Sequence, residues 1–282
     1  NEIKQICERI TIMRHGKSVG TYAVEGLTME EISRLMVGRD IILNVEKKDA
    51  KPGSVKLTAG NFSRKVEKGK QLLHDISFAI QKNQKIGIVG ESGSGKSTIM
   101  KLLLGLYMPD SGTVSKMQNQ SISYMPQDSS MFFTSVKNNI ALSFQGSVEK
   151  VEDSSKAAGA KAFIEKKEDG YDHMIQSGEE GFSGGECQRI SLARMFYQDA
   201  DVFVLDEPTS SLDAKTEKSI QNIIDKISDK TIIVVTHRLS FVENFDRIFV
   251  MNDGKIVEEG THQQLLDQQG VYASMYKKQN GS

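Results

Sequence analysis

Apolar residues along the chain fall into short runs separated by polar and glycine-containing segments. Continuous apolar runs, typical of strands buried on both faces of a mostly parallel sheet, occupy residues 85–90, 202–207 and 231–237. Helical spacing of apolar residues recurs at 96–105, 185–197 and 216–227. Two further segments, 55–62 and 72–80, indicate antiparallel strands. The pattern predicts an α/β fold with an antiparallel β subdomain, and the more polar segment from about 116 to 180 predicts a mostly helical lobe.

One hydrophobic pattern occurs twice. Residues 8–19, ERITIMRHGKSV, align without a gap to residues 246–257, DRIFVMNDGKIV, and both predict a strand, a glycine-containing turn and a second strand. The alternative is two unrelated hairpins, because such turns recruit glycine independently. The charged stretch KKDAKPG at 47–53 is typical of a linker. If the repeat is genuine, residues 1–52 are the tail of one domain plus a linker, and residues 53–282 are a complete copy of that domain.

A glycine-rich loop joins the first predicted core strand to a helix. Residues 90–98 read GESGSGKST, which completes the GxxxxGK[ST] pattern of a phosphate loop in its strand–loop–helix context. Backbone N–H groups at the helix start would face phosphate oxygens, Lys96 would reach the β- and γ-phosphates, and the Ser97 hydroxyl would bind Mg²⁺. An ordinary glycine-rich turn is the alternative. The residues predicted to hold the nucleotide are Gly90, Ser92, Gly93, Gly95, Lys96, Ser97 and Thr98.

Three later segments supply further candidate chemistry. Ser183, Gly184 and Gly185 stand at a predicted helix start, a second arrangement suited to phosphate. Asp206 ends an apolar strand and would hold Mg²⁺, while Glu207 would orient or deprotonate an attacking water. A solvated loop pair is the alternative for these carboxylates. A histidine at the end of a strand, such as His237, is more often structural, but here it could contact the γ-phosphate.

Taken together, these motifs resemble the ATP-binding cassette family over about residues 55–282. GESGSGKS resembles Walker A, FSGGE the signature, VFVLDE Walker B, and SSLD at 210–213 the D-loop, all in family order. Gln127 in MPQD resembles the Q-loop, and His237 the H-loop. The resemblance implies that Gln127 contributes to catalysis and Mg²⁺ binding, and that Asp213 joins the nucleotide site. Within the family the loops are most similar to exporter nucleotide-binding domains, whereas residues 1 to about 50 resemble the end of the first cassette in duplicated sugar and nucleoside importer ATPases.

One position departs from the family pattern. Exporter cassettes usually carry an adenine-stacking tyrosine where this sequence has Arg64. The Arg64 guanidinium could stack on the base instead, or Phe62 could substitute, although strand alternation favours Phe62 as a core residue. The identity of the adenine contact therefore stays open.

Composition narrows the choice of function. A net charge of −1 gives no electrostatic reason to expect a nucleic-acid partner, and no apolar segment is long enough to span a membrane. Two cysteines are too few for a disulfide framework. The family resemblance, which this composition does not oppose, implies an ATPase, using ATP and Mg²⁺, that drives transport at the cytoplasmic face of a membrane, with export favoured.

The family resemblance also implies partners. ATP would lie between the Walker A loop of one nucleotide-binding domain and the signature of a second in a head-to-tail homo- or heterodimer, and a transmembrane domain would complete the transporter. The alternatives are an importer ATPase fragment, a soluble cassette ATPase acting on DNA or the ribosome, and an inactive interaction fragment. An inactive fragment is disfavoured, because the sequence has a suitable residue at every position predicted to contact phosphate.

Overall fold

The chain divides into two units at residue 49. A computed structural model describes residues 8–14, 17–23, 31, 55–65, 71–116, 121–175, 181–210 and 212–281. Unit 1 comprises Asn1–Asp49 and unit 2 comprises Ala50–Ser282. In unit 1 the structure describes a hairpin of β1 (Arg9–Arg14) and β2 (Lys17–Ala23). The linker predicted at 47–53 lies outside the described residues.

A six-stranded sheet forms the centre of unit 2. Its strands are β5 (Lys85–Gly90), β7 (Ile122–Met125), β8 (Val202–Asp206), β9 (Thr231–Thr236), β10 (Arg247–Asn252) and β11 (Lys255–Gly260). The spatial order is β11-β10-β5-β9-β8-β7, and every pairing is parallel except β10 with β11. Every residue of β5, β8 and β9 is buried, as their unbroken apolar runs predict.

A second sheet of three antiparallel strands accompanies the central one. It contains β3 (Val55–Lys65), β4 (Gln71–Gln81) and β6 (Ser111–Lys116) in the order β4-β3-β6. The α/β class, the mostly parallel sheet and the antiparallel subdomain are therefore confirmed.

Helices cover the central sheet and form the lobe. They are α1 (Lys96–Leu103), α2 (Val136–Ala141), α3 (Val148–Ala157), α4 (Lys161–Ile164), α5 (Gly184–Gln198), α6 (Ala214–Lys226), α7 (His262–Asp267) and α8 (Val271–Asn280). Short 3₁₀ turns stand at Gly170–Asp172 and Leu239–Phe241. The helical lobe is confirmed, but the prediction that it begins near 116 is wrong. Residues Ile122–Met125 pair in parallel with β8 and belong to the central sheet, and their side chains alternate between buried and half-buried, as in a strand.

Side chains that alternate along the strands separate into two cores. Ile232 and Val234 of β9 join the cluster that contains the lobe and α5 residues, whereas Ile233 and Val235 join the cluster that contains α1 residues. This is the period-two geometry of a strand buried on both faces. Hydrophobic cores therefore pack against both faces of the sheet. This packing fixes the carboxyl ends of the strands and so positions the loops that follow them.

The two hairpins of the predicted repeat have the same pairing. Ile10 pairs with Tyr22 in β1–β2, and Ile248 pairs with Gly260 in β10–β11. In both hairpins the two partners are the same number of residues apart along the chain. The register also shifts at the equivalent point, between Ile12 and Met13 in one hairpin and between Val250 and Met251 in the other. A shared irregularity is harder to obtain by chance than a shared glycine turn, since a bulge is a specific local feature of strand pairing.

A chain that starts at Ala50 is expected to fold. Among the described residues, both hydrophobic clusters consist of residues from unit 2, so removal of residues 1–49 takes away none of these core residues. We expect the thermal midpoint of the truncated chain to stay within about 3 °C of the full chain, a change of roughly 1 kcal/mol. Circular dichroism during heating measures it. Loss of cooperative unfolding would show that unit 2 depends on unit 1.

Candidate active site

The phosphate loop connects β5 to α1 in a conformation that glycine permits. Gly93 and Gly95 adopt φ angles of +81° and +103°, where other residues are strained. A Cβ atom at Gly95 would also lie 2.8 Å from Leu73 Cδ2 of the antiparallel sheet. The loop therefore turns tightly into the N-terminus of α1, where backbone N–H groups favour an anion.

Lys96 is buried at the start of α1, with 7% of its surface exposed. Its Nζ donates to the carbonyl oxygens of Gly90 and Glu91, both at 2.8 Å. Burial lowers the pKa of Lys96, and the nearby carboxylates of Glu207 and Asp206 act in the opposite direction. The ammonium group is thus held inside the loop, as the sequence predicts for a cation facing phosphate.

Asp206 ends β8 and is also 7% exposed. Its Oδ1 atom is buried without a hydrogen-bond partner among the described residues. Burial, followed by repulsion from Glu207, raises the pKa of Asp206 to about 6. An unpaired buried carboxylate oxygen fits a hard cation such as Mg²⁺, and the Ser97 hydroxyl and the Gln127 side-chain carbonyl are donors of the same type.

Glu207 follows Asp206 in a backbone conformation that is rare for a non-glycine residue, with φ of +46°. Its Oε2 atom accepts hydrogen bonds from Thr236 Oγ1 at 3.2 Å and from the His237 backbone N–H at 3.3 Å. His237 Nδ1 lies 2.9 Å from the same oxygen. Because these contacts all fall on Oε2, Oε1 is left without a hydrogen-bond partner in the described part of the chain. The strained backbone and the fixed Oε2 together orient the carboxylate.

A cavity of about 910 Å³ brings most of the predicted residues together. The sequence-predicted residues that line it are Gly90, Ser92, Gly93, Gly95, Lys96, Ser97, Thr98, Gln127, Glu207 and His237. Asp206 is close enough for its charge to act on Lys96, although it does not line the cavity wall. The phosphate loop, the second carboxylate and the histidine therefore share one site.

The signature residues lie elsewhere. Ser183 begins α5 as its N-cap, and Glu186 completes a capping box by accepting from the Ser183 N–H at 2.9 Å. Ser183 and Gly185 line a separate cleft of about 320 Å³ that shares no lining residue with the larger cavity. Gly184 is the first residue of α5, between them in sequence.

Asp213 also lies outside the larger cavity. Its carboxylate caps α6 by accepting from the N–H groups of Lys215 at 3.0 Å and Thr216 at 3.1 Å. Its predicted role in nucleotide binding has no counterpart in the cavity of a single chain and stays a prediction. The side chains of Phe62 and Arg64, the alternative adenine contacts, lie outside the described residues.

Besides Glu91, which stands within the phosphate loop, four cavity residues escaped the sequence analysis. They are Leu72 of β4 and Met275, Lys278 and Gln279 of α8. None belongs to a phosphate-binding motif, and α8 begins more than 170 residues after the phosphate loop ends. Only the folded chain brings this helix to the cavity.

Comparisons with known proteins agree with this geometry. The model of a family described as ABC transporter matches residues 73–210. The chain belongs to the ABC transporter family. An ATP-dependent lipid A-core flippase of Aliivibrio fischeri is 37% identical over 249 residues, which is 83% of this chain and 43% of the flippase. ATP-binding cassette sub-family B member 6 of Xenopus tropicalis is 43% identical over 230 residues, 75% of this chain and 26% of the relative.

A solved structure shares the architecture of this ABC domain. A bacterial Atm1-family ABC exporter with ATP bound superposes with a TM-score of 0.74 at 30% identity, over 89% of this chain and 46% of the exporter. The chain thus spans less than half the length of these relatives. The predicted resemblance and the ABC ATPase fold are confirmed. Within the described residues, no helix is both long and apolar enough to cross a membrane.

Replacing Asp206 by Asn should stabilise the nucleotide-free ABC domain in a pH-dependent way. Because the folded pKa of Asp206, about 6, exceeds its unfolded value, its ionisation destabilises the fold. The free-energy gain of Asp206→Asn should appear above pH 4, grow up to pH 6, and level off there at about 2 to 3 kcal/mol. Urea denaturation at pH 4, 6 and 8 without nucleotide measures it. An equal gain at all three values would exclude titration as the cause.

Proposed function

We propose that this ABC ATPase domain energises export across a membrane by closing head-to-tail on a second nucleotide-binding domain. The observation that supports this most directly is the arrangement around Glu207. Its carboxylate is anchored through Oε2 by Thr236 and His237, while Oε1 is directed to no described partner. This arrangement suits a general base that must accept a proton from water beside a bound γ-phosphate.

In the proposed reaction, the residues of the larger cavity divide the work. Backbone N–H groups of the phosphate loop and the Lys96 ammonium bind the phosphates of ATP. Ser97, Asp206 and Gln127 would hold Mg²⁺, which when bound offsets the charge of the phosphate oxygens. Glu207 orients the water and takes its proton. His237 keeps the Glu207 carboxylate in place through the 2.9 Å contact and reaches toward the γ-phosphate.

The separation of the two clefts supports the dimer. The cleft at Ser183 and Gly185 shares no residue with the phosphate-loop cavity. Within one chain, a nucleotide in that cavity would therefore meet only some of the residues predicted to contact ATP. A second copy, or a related domain, would place its own Ser183, Gly184, Gly185 and Asp213 against the ATP. The nucleotide would then be the bridge that holds the two domains together.

An apolar surface after Gln127 supports a membrane-domain partner. The exposed fractions of Phe132, Phe133 and Phe144 are 56%, 73% and 86%. Exposed aromatic side chains that are adjacent, such as those of Phe132 and Phe133, are typical of surfaces where another protein binds. We place a transmembrane domain there, which sets the ABC domain at the cytoplasmic face of the membrane. The relatives named as exporters and flippases favour export over import.

The shared hairpin register supports a separate origin for unit 1. We infer that residues 1–52 belong to another cassette and its linker, and that residues 53–282 form one ABC ATPase domain. The equivalent bulges in β1–β2 and β10–β11 carry this inference. The resemblance of unit 1 to importer ATPases makes an importer the alternative for that part of the chain.

Lys96→Ala should weaken ATP binding about 10- to 100-fold. The loop keeps its N–H groups but loses a charge-assisted contact worth roughly 1.5–3 kcal/mol. Titration with a fluorescent ATP analogue measures the affinity. Lys82→Ala, which removes an exposed lysine outside the cavity, is the control. Equal affinities for both variants would remove Lys96 from the site.

Glu207→Gln should separate binding from hydrolysis. Glutamine keeps the shape but cannot accept the proton, so turnover should fall about 10²- to 10⁴-fold while ATP still binds. The blocked chain should accumulate as an ATP-dependent dimer, visible by size-exclusion chromatography. Glu149→Gln, at an exposed carboxylate of α3, is the matched control. A monomeric variant with wild-type turnover would contradict both the role of Glu207 and the dimer.

A further inference from the structure

The end of α8 forms part of the nucleotide cavity wall. Met275, Lys278 and Gln279 line the same cavity as the phosphate loop, Glu207 and His237. No step of the proposed reaction uses these three residues. Their place beside the predicted catalytic groups raises the question of what the helix contributes.

Strong contacts hold α8 in place from its first turn onward. Tyr272 is fully buried, and its hydroxyl lies 2.8 Å from His262 Nδ1. The Tyr276 hydroxyl donates to Glu243 at 2.8 Å. Glu258 accepts from the Tyr272 N–H at 3.0 Å and also from the Val271 N–H, which satisfies donors at the helix start. The helix can therefore serve as a fixed support for residues near its C-terminal end.

The side-chain amide of Gln279 makes two hydrogen bonds to the backbone of the loop that follows β9. Its Nε2 donates to the His237 carbonyl oxygen at 2.6 Å, and its Oε1 accepts from the Leu239 N–H at 3.0 Å. Each partner fixes the identity of the amide atom, because a carbonyl can only accept and an N–H can only donate. The amide thus spans the backbone on both sides of Arg238.

The loop that Gln279 holds also carries the groups that orient Glu207. The His237 N–H and Nδ1 both contact Glu207 Oε2, and the Thr236 hydroxyl contacts the same atom. A line of direct contacts therefore runs from Gln279 through His237 to Glu207. The contact of Lys278 with Glu91 of the phosphate loop, at 3.6 Å, involves two exposed side chains and contributes little.

We propose that Gln279 is a positioning residue for ATP hydrolysis, holding the His237 loop so that His237 can orient Glu207. The inference rests on the proposed function of this site. Gln279 acts through His237 and touches neither water nor phosphate in this scheme. Its removal should therefore affect the rate of hydrolysis more than the binding of ATP.

The direct test compares Gln279→Leu with Gln268→Leu in the full chain. Gln268 is an exposed glutamine outside the cavity, so the control makes the same chemical change without touching the loop. A misplacement of about 1 Å in a catalytic group can cost about 10²-fold in rate. We expect kcat of Gln279→Leu to fall about 10- to 100-fold with KM for ATP within about threefold, and Gln268→Leu to match the wild type.

A second arm tests whether the effect passes through His237. In a His237→Ala background, Gln279→Leu should lower the residual rate by a smaller factor than in the wild-type background, because the imidazole is already absent and only the backbone N–H of residue 237 is left to position. Radiolabelled phosphate release has the sensitivity for these slow variants. An equal loss of kcat in both backgrounds, or no loss in the wild-type background, would overturn the proposal.

Hydrogen exchange gives a readout that is independent of activity. The Leu239 amide should exchange at least about tenfold faster in Gln279→Leu, because it loses its acceptor. Unchanged exchange would overturn the contact itself.

A wild-type chain without ATPase activity would overturn the proposed function, while the exchange rate would still decide whether Gln279 holds the loop. If Gln279→Leu fails to fold, Gln279→Met, which also removes both the donor and the acceptor at a similar side-chain length, replaces it.

Discussion

Parallel pairing of β5, β9 and β8 is the constraint on which the site depends. Val89 of β5 pairs with Thr236 of β9, and Val235 of β9 pairs with Asp206 of β8. Parallel strands end at the same edge of the sheet, so the loops that follow them emerge side by side. Backbone hydrogen bonds between buried apolar strands thereby place the phosphate loop, the two carboxylates and His237 together, although they are far apart in sequence.

The charged side chains at this edge of the sheet compensate one another only in part. Burial, and then repulsion from the adjacent Glu207 carboxylate, raise the pKa of Asp206, and the charges of Lys101 and Lys96 offset part of this shift. The buried ammonium is in turn favoured by both carboxylates. Such a cluster destabilises the empty fold and is useful only when a ligand completes it. A cation at the unpaired Asp206 Oδ1 and phosphates at Lys96 would together supply the missing partners.

Sequence predicted the parts of the site that depend on local backbone chemistry. The glycines of the phosphate loop, the helix start at Ser183 and the strand end at Asp206 all follow from short motifs in which neighbouring residues determine the conformation. The α/β class followed in the same way from apolar runs. Periodicity was less informative for Ile122–Met125, since four residues are too few to distinguish a strand from the edge of a helical lobe.

Contacts between distant segments could not be predicted in this way. Gln279 reaches the His237 loop only because the packing of α8 brings it there, and no pattern in its own neighbourhood signals a catalytic neighbour. The positive φ of Glu207 likewise has no signal in the sequence, although the Glu207 N–H still donates to the Val235 carbonyl oxygen at 2.7 Å and so continues the pairing of β8 with β9. Two distant supports, β9 and α8, therefore converge on one carboxylate. A carboxylate fixed by separate elements is placed more precisely than a loop alone would allow, which suits the proposed role of Glu207 in orienting a single water molecule.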